Sequence, residues 1–308
     1  MILFLVLLLL LMAVLGGAFY AYYVAFYSPK SKRNLPPRFD RKSYAPYRGK
    51  LESGYQQLRQ REWESVTISS REGLKLRGHY CHVADGAPLD IGFHGYRSSP
   101  FLDFCGGAGL SFEMGHNLLL VDQRAHGESE GYSITFGIRE REDVLCWVDY
   151  ARERFGLEVK ILLYGVSMGA STVLMASELD LPENVRGIVA DSPYNAPLEI
   201  IRKVARQTGK PDWLIRPLVL LGARMYGGFD LQECDPERAV KHTKVPILLI
   251  HGEADGFVPC QMSEPIYRSN PEKVTRLTFP EADHGLSYLA DTPRYRQAVC
   301  AFCESVLK

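Results

Sequence analysis

An excess of charge of either sign is missing from this chain. Its 308 residues hold 36 Lys and Arg against 36 Asp and Glu, so no basic surplus draws nucleic acid to it, and no nucleic-acid partner is expected. Cysteine is scarce and odd in number, seven in all. A chain this long needs no disulfide staples, and the count fits a reducing compartment. Cys300 and Cys303 form a C-x-x-C pair, but no second pair stands nearby to complete a zinc site, which leaves them as thiols of a covering helix. A phosphate-binding loop is also missing, because Gly106-Gly107-Ala108-Gly109 lacks the Lys-Ser/Thr that must follow. There is no internal repeat and no low-complexity tract.

The most local absence is at the start. Residues 1–27 contain no charged side chain, and a run of that length and apolarity spans a bilayer. Phe19, Tyr20, Tyr22, Tyr23, Phe26 and Tyr27 cluster at its end, as aromatic belts do at the membrane interface. A cleaved signal peptide is the alternative; it lacks a basic leader here, and the apolar stretch is too long for it. Lys30, Lys32, Arg33, Arg38, Arg41 and Lys42 follow, with only Asp40 opposing them. By the positive-inside rule the rest of the chain lies on the cytoplasmic side of a single-pass anchor, an extracytoplasmic or secreted protein being the alternative. The basic cluster also favours anionic headgroups. Pro36-Pro37 and Pro46 make residues 28–62 read as a stiff, mostly extended linker.

What is present is chemistry. Gly165-Val166-Ser167-Met168-Gly169 follows the apolar run Ile161–Tyr164 and precedes the helix-like Ala170–Ala176. Strand, G-x-S-x-G, helix is the context of a nucleophile elbow. The turn strains its central residue, and glycines two before and two after let strand and helix backbones approach without a Cβ clash. Ser167 then stands at the C-terminal edge of a sheet. A serine hydroxyl is a weak nucleophile and needs a base, an orienting acid and an oxyanion hole.

Each has a candidate. The apolar run Val245–Ile250 leads through His251-Gly252 into a loop that carries Asp255, and the alternating strand at Val274–Phe279 leads into a loop that carries His284. This is the chain order Ser, Asp, His of the elbow arrangement. His284 takes the proton of Ser167, and Asp255 holds the imidazole tautomer. Glu253 and Asp191 compete for the acid role; Asp255 is preferred because it follows the penultimate strand. For the oxyanion hole the backbone N–H groups of Met168, in the first turn of the helix, and of Tyr96, after His94-Gly95, are the candidates. His94 and His126 read as structural. The chemistry requires neither a metal nor an organic cofactor.

Together these residues resemble the α/β-hydrolase superfamily, and more closely its serine aminopeptidase-like (S33-type) and acyl-esterase-like members. The likeness runs over residues 63–308 and includes Asp122-x-Arg124-x-x-Gly127-x-Ser129. It implies a mostly parallel eight-stranded sheet flanked by helices, and hydrolysis of an ester or acyl substrate through an acyl-enzyme on serine. It also implies that Arg124 is structural and leaves open whether His126 touches a leaving group. An aminopeptidase-type peptidase, and a catalytically silent membrane-tethered scaffold, are the other readings. Short apolar runs alternating with helical periods agree with the fold: strands are expected at 64–70, 75–83, 89–94, 117–122, 159–165, 186–191, 245–251 and 274–280, the first two as an antiparallel edge hairpin. Helices are expected at about 100–114, 138–155, 168–180 and 292–307. Residues 193–242 exceed a simple crossover and stand where this fold carries a lid; their apolar residues, from Trp213 to Tyr226, either pack the lid on the body or line an acyl pocket. The organisation is then an anchor at 1–27, a linker at 28–62 and a hydrolase domain at 63–308. Oligomeric state is not legible.

Overall fold

A computed structural model of the chain describes every residue except Asn34 and Thr208. Eight strands form one sheet in the order β1-β2-β4-β3-β5-β6-β7-β8: β1 Glu64–Ser69, β2 Lys75–Cys81, β3 Leu89–Phe93, β4 Asn117–Val121, β5 Ile161–Val166, β6 Val185–Asp191, β7 Ile247–Gly252 and β8 Val274–Phe279. β1 and β2 are an antiparallel hairpin, Glu64 facing Tyr80, and β2 runs antiparallel to β4. The remaining neighbours are parallel. Every residue of β3, β4 and β7 is buried, as strands covered on both faces must be.

The helices are α1 Ile2–Ala25, α2 Arg48–Arg59, α3 Pro100–Phe104, α4 Gly109–Glu113, α5 Glu140–Phe155, α6 Met168–Ala176, α7 Pro197–Arg206, α8 Asp212–Gly222, α9 Pro236–Val240, α10 Ser263–Ser269, α11 Ser287–Ala290 and α12 Thr292–Val306. On one face α5, α6 and α10 set Val144, Trp147, Val148, Val173, Leu174 and Ile266 against Ile91, Leu119, Leu163 and Leu249. Each such aliphatic side chain contributes roughly 1.5–3 kcal/mol on burial. On the other face α12 places Val299, Cys303 and Val306 on Leu162, Val189 and Ile250, while α2 and α3 cover Leu118 and Leu120 with Leu58, Phe101 and Phe104. The sequence of α5 explains both its ends. Glu140, Glu142 and Asp143 in the first turn and Arg152 and Arg154 in the last complement the helix dipole. Gly156, at φ 91°, stops it.

Three expectations change. The helix expected over 100–114 is two short helices, broken at Cys105–Ala108, where Gly106-Gly107 lowers helix propensity. The extended linker fails beyond Lys42: a 3₁₀ stretch over Lys42–Tyr47 enters α2, and Leu51 and Leu58, one heptad apart on one face, are buried. The apolar N-terminal helix forms, 24 residues long or about 36 Å at 1.5 Å per residue, but one face of its inner end is covered by the body while Phe19, Tyr20 and Tyr23 stay exposed. Ala18, Tyr22 and Phe26 are buried, packed with Phe136, Val219, Ala223 and Phe229. α8 lies against α1 so closely that a Cβ on Gly222 would overlap the Ala18 carbonyl, the small-residue contact by which helices come into backbone proximity.

Candidate active site

Ser167 sits between β5 and α6 with φ 57° and ψ −117°, a conformation that costs about 1–3 kcal/mol for a residue with a side chain. Its N–H donates to the Asp191 carbonyl of the neighbouring strand, 2.8 Å. A Cβ on Gly165 would lie 2.5 Å from the Ala170 nitrogen, and one on Gly169 would overlap the Phe93 carbonyl, so the turn closes only with glycine at both positions. The other non-glycine residues with positive φ are Arg97, Ala125, Phe136 and Ser192. They follow β3, β4 and β6 or approach α5, so strain gathers around the loops at the C-terminal edge of the sheet.

His284 Nε2 lies 2.9 Å from Ser167 Oγ, and its Nδ1 lies 2.7 Å from Asp255 Oδ2. With the proton on Nδ1 donated to Asp255, Nε2 is free to accept from the serine hydroxyl. Asp255 also accepts from the N–H groups of Phe257 and Val258, at 2.9 and 2.7 Å. Burial alone would raise the Asp255 pKa; hydrogen bonds from His251 and His284, with the Val258 N–H, outweigh it and hold the carboxyl well below its ordinary value. Asp283 ties the two loops together, accepting from the His284 N–H at 2.7 Å and the Gly256 N–H at 3.0 Å. Among the described residues neither rival acid bonds His284, whose side chain pairs with Asp255 and Ser167. Glu253 accepts from Thr278. Asp191 bonds Ser192, and its burial lifts its pKa to about 6.

Gly95 stands beside Ser167; a Cβ there would meet Ser167 Cβ at 3.2 Å. Asp103 grips this loop through the Gly95 N–H, 2.6 Å, and the Ser98 hydroxyl, 2.5 Å. Among the described residues neither the Tyr96 nor the Met168 N–H has an acceptor in the protein, so both remain available to a ligand. His94 accepts from the Gln123 N–H. His126 accepts from the Arg97 N–H at 3.0 Å and faces the Arg124 carbonyl. Burial, then His94, lowers its pKa to about 3, so it is neutral and braces the loop from behind rather than facing a leaving group. Arg124 is bidentate to Asp143, 2.6 and 2.7 Å, and reaches Glu72.

Ser167 and His284 open on a cavity of about 600 Å³. Tyr164, Asp191, Tyr295 and Val299 line its inner part, with Leu110, Met114 and Leu118 alongside, and Arg41, Ser43, Tyr44 and Leu51 contribute from the chain before β1. No described residue of 193–242 lines it. That segment packs on α1 and the body instead, and Lys203 of α7 braces the acid loop by donating to the Gly256 and Phe257 carbonyls. Among the described residues no group of three or more His, Cys, Asp or Glu side chains is placed to hold a metal ion. Asp103, His251 and Arg97 escaped the sequence reading. His251, four residues before Asp255 in a loop already singled out, was the most accessible of these.

Comparison with known proteins agrees with the fold. A family model described as alpha/beta hydrolase fold matches residues 92–224, and a Pyrococcus furiosus protein titled esterase Pf2001 superposes with a TM-score of 0.67 at 23% identity, covering 82% of this chain and 94% of that one. The chain has the α/β-hydrolase fold. The uncharacterized protein YqkD of Bacillus subtilis is 23% identical over 253 residues, 82% of this chain and 83% of its own. YfhR of Salmonella typhi is 26% identical over 262 residues, 80% and 83%. The chain thus shares most of its length with these relatives, and the segment matched by the family model begins in β3.

Proposed function

We propose that the chain is a membrane-anchored serine hydrolase that cleaves carboxylic esters through an acyl-enzyme on Ser167. The observation that carries this is the hydrogen-bonded line Ser167–His284–Asp255 at the mouth of a cavity lined largely by apolar side chains. Ser167 Oγ gives its proton to His284 Nε2 and bonds to the substrate carbonyl carbon. The carbonyl oxygen becomes an oxyanion facing the N–H groups of Tyr96 and Met168. The tetrahedral species collapses, the C–O bond to the leaving alkoxide breaks, and His284 returns the proton, releasing an alcohol. Water then attacks the acyl-enzyme by the same route and frees the acid. The Pyrococcus furiosus neighbour, named an esterase, points the same way.

Ester rather than peptide is favoured by the carboxylates of the pocket. An aminopeptidase needs one to hold the substrate amine. Asp103 is engaged by Gly95 and Ser98, Asp283 by Gly256 and His284, and Asp191 by Ser192, while Glu199 pairs with Arg202 away from the cavity. The bare part of α1 would hold the body at a bilayer, and its basic flank favours the cytoplasmic side, which suits esters with lipophilic acyl chains.

The test uses the full chain in detergent. A fluorophosphonate should label the wild type and not Ser167→Ala, and a p-nitrophenyl ester series should peak at a chain longer than acetate. A folded wild type that takes no label would sink the reading and favour the scaffold. Amide turnover as fast as ester turnover would replace it with the peptidase.

A further inference from the structure

Helix α1 ends on the oxyanion loop. Its last turn carries no basic residue, so its terminal carbonyls lack a cation of their own. Two side chains of the loop supply partners. Arg97 Nη2 donates to the Val24 carbonyl at 2.9 Å and to the Tyr27 carbonyl at 3.1 Å, and Tyr96 Oη donates to the Ala25 carbonyl at 2.9 Å. A guanidinium and a hydroxyl thus complete a helix C-terminus whose carbonyls have no partner further along the helix. From the other side the loop is held by His126 at the Arg97 N–H and by Asp103 at the Gly95 N–H. Arg97 itself stands at φ 51°, a strained conformation that survives only where the surroundings over-determine it.

We propose that the C-terminal end of the N-terminal helix positions the oxyanion hole, with Arg97 and the Tyr96 hydroxyl as the positioning groups. The proposal rests on the serine-hydrolase reading. The Tyr96 N–H belongs to the same residue whose hydroxyl is fixed to Ala25, and Gly95, one residue earlier, touches Ser167. Releasing the helix end therefore lets the donor drift from where the oxyanion forms. A misplacement of about 1 Å at a reacting centre costs on the order of 10²-fold in rate. The substrate makes its contact with this N–H chiefly in the transition state, so the loss falls on kcat rather than KM. The helix that meets the bilayer then sets catalytic rate as well as location.

Arg97→Met, Tyr96→Phe and, as a control, Tyr22→Phe are to be made in the full chain. Tyr22 Oη bonds Ser133 Oγ at 2.7 Å and so holds the same helix to the body away from the loop. For Arg97→Met, kcat on a soluble ester should fall roughly 10- to 100-fold with KM changed less than about threefold, and Tyr96→Phe should follow with a smaller loss. Affinity for a trifluoromethyl ketone, whose adduct carries the oxyanion, should fall by the same factor as kcat. Tyr22→Phe should leave kcat within about twofold. The proposal is overturned by kcat within twofold of wild type for Arg97→Met, by an equal loss in Tyr22→Phe, or by a loss in kcat without one in ketone affinity. Should Arg97→Met fail to fold, Tyr96→Phe alone decides by the same criteria. A wild type that takes no fluorophosphonate ends the parent reading instead, which separates the two failures.

Discussion

Two regions exchange the roles that their sequences suggest. Residues 28–62 are basic and proline-containing and read as a spacer; yet Arg41, Ser43, Tyr44 and Leu51 face the cavity. Residues 193–242 are apolar and read as a lid; yet they hold α1 through Val219, Gly222, Ala223 and Phe229 and leave the cavity alone. The difference lies in what amphipathic spacing tells. It reports that a face is covered, not by what. The apolar face of α8 found a helix about 200 residues earlier in the chain, whereas on α2 Leu51 found the edge of the pocket and Leu58 the face of the sheet.

Four substitutions separate the two roles. Gly222→Leu drives a side chain into the Ala18 carbonyl, and overpacking against backbone should cost about 3 kcal/mol. Thermal denaturation should show the drop while KM for a short ester stays put; a large KM change would return the insertion to the pocket. Asp191→Asn probes how dry the roofed cavity is. The carboxyl of Asp191 has a folded pKa of about 6 against an ordinary 3.8, chiefly because it is buried, so the folded state holds that proton more tightly than the unfolded chain does. The wild-type stability from this group is fully present below about pH 4 and is lost as pH rises through about 6, on the order of 2–3 kcal/mol. Asp191→Asn should therefore gain on wild type between pH 4.5 and pH 7.5 in melting temperature. A flat difference would mean a wet, unroofed pocket.

Tyr44→Ala opens the roof. The ratio of kcat/KM for medium-chain over acetate esters should fall roughly tenfold, the scale of a lost apolar contact to substrate, and an unchanged ratio would remove residues 41–51 from the substrate's path. The smallest effect is expected at Trp213, which is 77% exposed on α8. Trp213→Ala should move stability by no more than about 0.5 kcal/mol and leave the chain-length profile unaltered. A shifted profile would show that α8 meets substrate after all.

The sheet was legible because each buried strand is a short apolar run between turn residues, and β3, β4 and β7 keep nearly every side chain inside. The elbow was legible because its geometry demands glycine at 165 and 169, which the letters show directly. The line from Ser167 to Asp255 was traceable because chain order and strand ends place those loops on one edge. The support of the site was not. Arg97 reads as an ordinary loop arginine, since its partners are backbone carbonyls of residues 24 and 27, and a carbonyl has no signature in sequence. Asp103 hides in the first turn of α3, where an acidic residue is expected in any case. The roof was masked by Pro46, which marks entry into α2 rather than extended chain, and by a heptad of only two leucines.

The crossing of α1 by α8 has a consequence for biogenesis. Tyr226 reaches back 211 residues to the Leu15 carbonyl, and Tyr22 forward 111 residues to Ser133. The helix emerges from the ribosome before any of these partners exists, so its inner end must wait, apolar and unpaired, until the residues up to Phe229 have been made. Such distant contacts close late. This helix is accordingly among the last elements to reach its final seat, and the loop bonded to its end is finished only then.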